Sequence, residues 1–332
     1  MSKIETGPDN LITDVAGLKI GQAHDEKVCT GVTVLLPDQP VRCGVDVRGG
    51  GACTRETDVL SDSGMVDQVN AIVLSGGSVY GFDASSAVTL ELGRRRVGFT
   101  AAPHPVPVSP IVPSAMLFDN GNKGDKNWES GTPFAQLGRE ALQNAKDRFE
   151  LGRAGAGYGA TAGLYRGGLG SVSEKVGPYM VGAITAANPV GSPYMPGTDC
   201  FWSWPYEVNH EFGGKRPPVD FKFTHPEDSK LTFLRQAGAA TIIGIVATDA
   251  DLDMRELNRI AAMAHDGMAI AAQPAHTPFD GDTLFALSTG DKPLTHSSRA
   301  VHIAELGAAA ARCIARAIAR GVNEAPKDDV IP

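Results

Sequence analysis

The sequence predicts a mixed α/β (α+β) protein with a layered core, and three observations carry that reading. Short apolar runs of β type recur along the chain, several with the unbroken character of strands buried on both faces. Stretches with apolar residues at helical spacing lie between and after them. The 39 glycines and 22 prolines supply the tight turns and close backbone approaches that many short elements need. No internal repeat is visible. At 332 residues the chain suffices for one large or two small domains.

Residues 31–36 (GVTVLL) and 41–47 (VRCGVDV) are strand-like runs joined by the turn-like Pro37-Asp38-Gln39-Pro40, so a hairpin is expected. Residues 71–74 (AIVL) form a short buried-type strand. It hands over through Ser75-Gly76-Gly77-Ser78 to a helix over about 80–94, with Ser78 as its N-cap. The Pro-, Asn- and Gly-dense segment 102–132 reads as a long ordered loop, and about 132–152 as a return to helix. A glycine-rich stretch, 152–170, precedes strands at 170–176 and 179–187. Residues 201–230 have no periodicity and read as an exposed excursion.

Residues 241–247 (TIIGIVA) are again a buried-type strand. Asp253 and Glu256 set up a capping box for a helix with Met254, Leu257, Ala261 and Ala264 on one face. Residues 284–287 are a further strand. The last helix, about 298–320, places Ile303, Leu306, Ala310, Cys313 and Ala317 on an apolar stripe, with Gly321 as its stop. Arg312, Arg316 and Arg320 recur on another face, most simply as a solvated row near the C-terminal dipole.

Composition excludes several classes. No window approaches ~18 uninterrupted apolar residues, which rules out a spanning helix. A net charge of -8 argues against a general nucleic-acid binder, which needs clustered Lys and Arg. Cys29, Cys43, Cys53, Cys200 and Cys313 are scattered without a CxxC pair, so neither a disulfide framework nor a cysteine-rich zinc site is indicated. The N-terminus lacks the apolar stretch of a secretory signal, and a cytoplasmic protein is expected.

Several motifs invite a functional reading and a simpler one. Ser75-Gly76-Gly77-Ser78 sits where anions bind or a nucleophilic serine perches, but position 80 is Tyr where the nucleophile elbow needs Gly. A tight turn suffices. Gly155-Ala156-Gly157-Tyr158-Gly159-Ala160 superficially matches a dinucleotide fingerprint, but no clear strand precedes it, and close packing is simpler. His265, Asp266, His276, Asp280 and Asp282 gather potential metal ligands at spacings that match no zinc motif. Thr241 leads a buried strand, where a β-branched residue needs no further explanation.

Ordered motifs along nearly the whole chain lead further. They include Asn10-Leu-Ile-Thr-Asp-Val-Ala-Gly-Leu-Lys-Ile-Gly21, Val47-Arg-Gly-Gly with Thr54-Arg-Glu-Thr-Asp58, and Leu74-Ser-Gly-Gly-Ser-Val-Tyr-Gly-Phe-Asp-Ala84. Arg166-Gly-Gly-Leu-Gly-Ser171, Ala186-Ala-Asn188, the strand from Ile242, and the segment from Ala264-His-Asp-Gly-Met268 to His276-Thr-Pro-Phe-Asp-Gly-Asp-Thr283 complete the set. With these the sequence resembles the L-aminopeptidase/D-esterases, β-aminopeptidases and 6-aminohexanoate-oligomer (nylon-oligomer) hydrolases, self-cleaving N-terminal-nucleophile enzymes.

The resemblance implies a four-layer αββα sandwich, a single domain over 1–332, and a cut between Ala240 and Thr241 into 1–240 and 241–332. It implies Thr241 as nucleophile, Asn188 as donor to the developing oxyanion, and Asp280 and Asp282 as the residues orienting the Thr241 amine and hydroxyl. The exposed α-amino group, with an ordinary pKa of about 7.7–8.0, would be the base that a threonine hydroxyl needs. Arg166 is a further candidate, standing where many relatives carry Lys; a guanidinium cannot carry protons as a lysine of depressed pKa can. Ala240 stands where these families usually have Asn or Gly.

The expected substrates are linear amides or short oligoamides, with the Thr and Asp-Gly-Asp pattern favouring the nylon-oligomer branch over an aminopeptidase. No cofactor or metal is implied, and a homo-oligomer, often a tetramer in relatives, is expected. The competing classes are a metal-dependent hydrolase built on His265, His276, Asp280 and Asp282, and an amide-binding relative without turnover. The 102–132 loop with Trp202 and Trp204 is a candidate pocket lining.

Overall fold

The computed structural model describes residues 3–128, 131–225, 227–232, 240–294 and 298–326; residues 236–239 of the Gly-Ala stretch before Thr241 lie outside them. In chain order the first strands are β1 (Leu18–Asp25), β2 (Thr30–Pro37), β3 (Val41–Val47), β4 (Thr54–Arg55), β5 (Gln68–Val69), β6 (Ile72–Ser75) and β7 (Ser114–Met116). Then come β8 (Thr161–Ala162), β9 (Tyr165–Arg166), β10 (Gly168–Val176), β11 (Tyr179–Asn188), β12 (Thr241–Ala250) and β13 (Thr283–Lys292). The α-helices among the described residues are α1 (Phe82–Arg94), α2 (Phe134–Gln143), α3 (Met254–Ala271) and α4 (Arg299–Glu324).

The strands form a sheet in the order β1-β2-β6-β7-β4, a second in the order β10-β11-β12-β13-β3-β5, and a small β8-β9 pair. Strand alternation explains how the two large sheets stack. Along β2, Val32 and Val34 face α1 and α2, while Leu35 faces the second sheet. Along β12, Ile243, Ile245 and Ala247 meet Ile20, Leu35 and Leu74 between the sheets, whereas Ile242 and Val246 pack beneath α3 and α4. The result is the expected αββα order, a layer of helices on each outer face.

Several local expectations change. The runs at 31–36 and 41–47 form strands but no hairpin: β2 pairs with β1 and β6, while β3 lies in the other sheet between β13 and β5. The Pro-flanked turn at 37–40 therefore crosses between sheets. β1 itself, mixed in polarity, escaped the apolar-run criterion. The loop 102–132 contains β7, and the helix expected over 132–152 covers only Phe134–Gln143. Helix α1 starts at Phe82 after a 3-10 turn over Ser78–Gly81, and Ser78 does not cap it. The Asp253–Glu256 capping box forms as expected.

Gly321 does not stop α4, which runs on to Glu324. Its role is contact. A Cβ at Gly170 would lie 1.8 Å from the Ala317 carbonyl oxygen, and one at Gly168 would lie 2.2 Å from that of Gly321. The glycines after Arg166 thus let β10 lie against the α4 backbone. The arginine row is not solvated either. Arg316 is fully buried, with Nε donating to Glu211 at 2.6 Å and Nη1 to the Ser173 carbonyl at 3.0 Å. Arg312 pairs with Glu174, and Arg320 Nη1 donates to the Asn10 carbonyl at 2.6 Å. Their acceptors come from segments more than a hundred residues away, beyond the reach of helical spacing. The 201–230 excursion is likewise half inside, with Phe201 and Phe212 in the core beneath α4.

The glycine motifs receive their simpler reading. A Cβ at Gly157 would sit 2.1 Å from Leu169 N, and one at Gly159 would sit 2.2 Å from the Cys29 carbonyl. The Ser75–Ser78 turn already holds a carboxylate of the chain itself: Asp119 Oδ1 accepts the Gly77 N–H at 2.7 Å and Oδ2 the Thr30 hydroxyl at 2.7 Å.

Candidate active site

Thr241 begins β12, Asn188 ends β11, and the two are direct partners in the antiparallel ladder. Ile243 and Ala186, two residues further in, belong to the core between the sheets. Strand alternation places Thr241 and Asn188 on that same side, with the Cβ atoms of such a pair about 4.5–5.5 Å apart. Both are almost wholly buried, at 3% and 1% exposure.

Ala240 precedes Thr241 in a bridge to Asp280: its N–H donates to the Phe279 carbonyl at 3.0 Å, and its carbonyl accepts the Gly281 N–H at 2.9 Å. The Thr241 hydroxyl donates to that same Ala240 carbonyl oxygen. Gly281 is glycine for a reason of space. A Cβ there would fall 2.8 Å from Thr241 Oγ1 and 2.9 Å from the Gly51 carbonyl oxygen.

The two carboxylates brace the strand ends. Asp282 Oδ1 accepts the Ile242 N–H at 2.8 Å, while Oδ2 accepts the His276 N–H at 3.0 Å and lies 2.7 Å from His276 Nδ1. Asp280 Oδ1 accepts the Val190 N–H at 3.1 Å, and Oδ2 accepts the Thr277 N–H at 2.8 Å and hydroxyl at 2.6 Å. The carboxylates therefore hold the neighbours of Thr241 and Asn188 in the chain. The glycine segment after Arg48 closes the other side, with Gly51 N donating to the Asp280 carbonyl at 2.8 Å and Arg48 N to that of Asp282 at 3.0 Å.

Asn188 is held at both ends of its amide. Oδ1 accepts the Thr161 N–H at 2.9 Å, the Thr161 hydroxyl at 3.2 Å and Lys230 Nζ at 3.2 Å, and Nδ2 donates to the Phe118 carbonyl at 2.9 Å. Burial lowers the Lys230 pKa to about 7 against the opposing pull of Asp280. Burial and the charge of Asp282 together raise the Asp280 carboxyl above its ordinary range. Burial favours neutral His276, but its hydrogen bond to Asp282 and that carboxylate's charge outweigh it, and its pKa is raised.

The structure thus gathers Thr241, Asn188, Asp280 and Asp282 at one end of the central sheet. Arg166 lies on β9 opposite Thr161, the residue that grips Asn188. His265 and His276 do approach, with rings 5.0 Å apart, but His265 turns Nε2 to the Asp46 carbonyl at 3.0 Å and His276 serves Asp282. Among the described residues no three His, Cys, Asp or Glu side chains converge as a metal-holding group.

Sequence reasoning missed Lys230, Thr161 and Phe118. A lone lysine in an aperiodic, charged excursion carries no signal of its own; only the fold brings it to Asn188. Behind its turn lies a cavity of about 530 Å3 lined by Phe223, His225, Ser229, Leu231, Thr232, Gln273 and Pro274. Trp202 packs against Phe223, 6.1 Å between ring centroids, so it supports that wall, whereas Trp204 sits under Arg216.

The four-layer sandwich is shared with an aminopeptidase described as a variant of the Ntn-hydrolase fold. The l-aminopeptidase d-ala-esterase/amidase of Ochrobactrum anthropi superposes with a TM-score of 0.69 at 22% identity, covering 98% of this chain and 88% of that one. An uncharacterized aminopeptidase of Mycobacterium bovis is 36% identical over 97% of this chain and 96% of its own length. A 6-aminohexanoate-oligomer endohydrolase of Kocuria sp. is 34% identical over 88% of this chain and 79% of its own. The chain belongs to peptidase family S58, which matches residues 10–329. It is a hydrolase of amide or peptide bonds.

Proposed function

We propose that the protein is a self-processing hydrolase of linear amides and short oligoamides that works through an acyl-enzyme on Thr241. The observation that carries this reading is the shared carbonyl: the Ala240 oxygen accepts both the Thr241 hydroxyl and the Gly281 N–H at 2.9 Å. In the first step Oγ1 attacks the Ala240 carbonyl carbon. The C–N bond to Thr241 breaks, the hydroxyl proton ends on the departing nitrogen, and the Gly281 N–H supports the charge on the oxygen. Water then hydrolyses the ester, leaving a carboxylate on Ala240 and a free α-amine on Thr241.

In turnover that amine accepts the hydroxyl proton as Oγ1 attacks the substrate carbonyl. The second Asn188 N–H supports the oxyanion, the leaving amine takes the proton, and water releases the acyl group. Asp280 and Asp282 hold the strand ends that set this geometry. The identity to a 6-aminohexanoate-oligomer endohydrolase favours oligoamides, and the still higher identity to uncharacterized aminopeptidases keeps an aminopeptidase activity as the second reading. Cytoplasmic residence, supported by five free cysteines of which four are buried, and homo-oligomeric assembly belong to the same proposal. Among the described residues no helix is long and apolar enough to cross a membrane.

Intact-mass spectrometry of the purified protein is the test. Two fragments with a new N-terminus at Thr241 and turnover of a linear oligoamide support the reading. A permanently single chain without amidase activity means an amide-binding relative instead.

A further inference from the structure

A side-chain amide offers two acceptor lone pairs and two N–H donors. In Asn188 the acceptor side is crowded by Thr161 and Lys230, which fixes which way the amide faces, and one donor is spent on the Phe118 carbonyl at 2.9 Å. The second N–H has no acceptor among the described residues, and the side chain lies across the ladder from Thr241. Lys230 is tied to the same short segment three times. Nζ donates to Asn188 Oδ1 and to the Asn188 carbonyl, each at 3.2 Å, and its own N–H donates to the Val190 carbonyl at 2.8 Å.

We propose that Lys230 is a positioning residue for amide hydrolysis, its ammonium clamping and polarising the Asn188 amide so that the remaining N–H meets the oxyanion formed on the acyl carbon attacked by Thr241. The inference rests on the function proposed above. A cation on Oδ1 draws electron density through the amide and makes Nδ2–H a stronger donor. A donor held in place before the reaction costs no reorganisation when charge develops.

The clamp has a pH signature. With its pKa near 7, Lys230 loses its charge as pH rises through neutrality, while the Thr241 amine, ordinarily about 7.7–8.0, must lose its proton to act as base. The two requirements oppose each other and give a narrow bell. Among the described residues the charge that acts on Lys230 is that of Asp280, whose own carboxyl is raised by burial and by Asp282, and Asp228 stands two positions before it in the chain.

The test compares K230M and K230R in the full chain, with a short linear oligoamide as probe. K230M is expected to lower kcat by about tenfold or more, toward the ~10²–10³ of losing an oxyanion donor outright. Its KM should stay within about threefold, because the effect falls on the transition state. K230R should recover much of the lost kcat and shift the alkaline limb of the kcat–pH profile upward, since a guanidinium keeps its charge. A wild-type kcat and profile in K230M overturns the proposal, as does an unmoved alkaline limb in K230R. Thermal melting and intact mass are read alongside: a K230R that folds and is cut yet shows no rescue also overturns it. If T241A loses turnover while K230M keeps it, only the Lys230 assignment fails; if the wild type turns over no amide, both readings fall.

Discussion

Gly281 lies so close to Thr241 that a Cβ built on it would stand 2.8 Å from the hydroxyl oxygen. The glycine of Asp-Gly-Asp is thus the floor on which the Thr241 hydroxyl rests, and its N–H holds the Ala240 carbonyl. G281A should displace the hydroxyl and slow both chain cleavage and turnover. Overpacking of this kind costs about 1–3 kcal/mol of stability. The check is the cleaved fraction over time by intact mass beside the denaturation midpoint; wild-type processing in G281A would contradict the contact.

Thr241 itself should be irreplaceable by a residue without a hydroxyl. T241A is expected to remain a single chain with no turnover, while T241S keeps both at reduced rate. Retained cleavage in T241A would remove Thr241 as nucleophile.

Asn188 faces Thr241 across the ladder with one amide N–H that has no acceptor among the described residues. N188A should lower kcat by about 10²–10³, the usual effect of deleting one oxyanion donor. Steady-state kinetics on processed protein checks this, and a change confined to KM would place Asn188 in substrate binding instead.

His276 is buried, which favours its neutral form, but the Asp282 carboxylate 2.7 Å from Nδ1 raises its pKa. A folded pKa above the unfolded value contributes stability that is fully present below about 6.5 and lost as pH rises through the folded pKa. Histidine NMR should show a midpoint above the ordinary value, and D282N should bring it down. An unchanged midpoint in D282N would break the link.

Arg316 and Glu211 form a pair that is almost wholly enclosed, at 0% and 5% side-chain exposure. Removing one partner strands a buried charge, so R316M should cost about 3–5 kcal/mol in urea unfolding. Replacing Glu211 by Met as well should restore much of the loss.

A layered core of strands and helices follows from features visible in the chain: unbroken apolar runs such as 241–247 must be covered on both faces, and Leu257, Ala261 and Ala264 mark a helix face that covers one of them. The four-layer αββα order was implied by the family resemblance. The Asp253 capping box formed for equally local reasons. Long-range matters were hidden. Nothing local distinguishes an arginine facing water from Arg316 facing Glu211, 105 residues away. β2 and β3 are adjacent in sequence yet pair in different sheets, because edge partners are chosen among all strands at once.

The same division runs through the site. Motif order along the chain pointed to Thr241, Asn188, Asp280 and Asp282, whose residue types and spacing carry the likeness to the family. What each one touches was decided by folding: Asp282 on Ile242 N, Asp280 on Val190 N, and Lys230 on Asn188 from an excursion without periodicity. Residue type and strand period are written locally, so the chain alone specifies them. Hydrogen-bond partners, burial and the pKa values they shift depend on segments brought together from far apart, and only the packed sheets determine those.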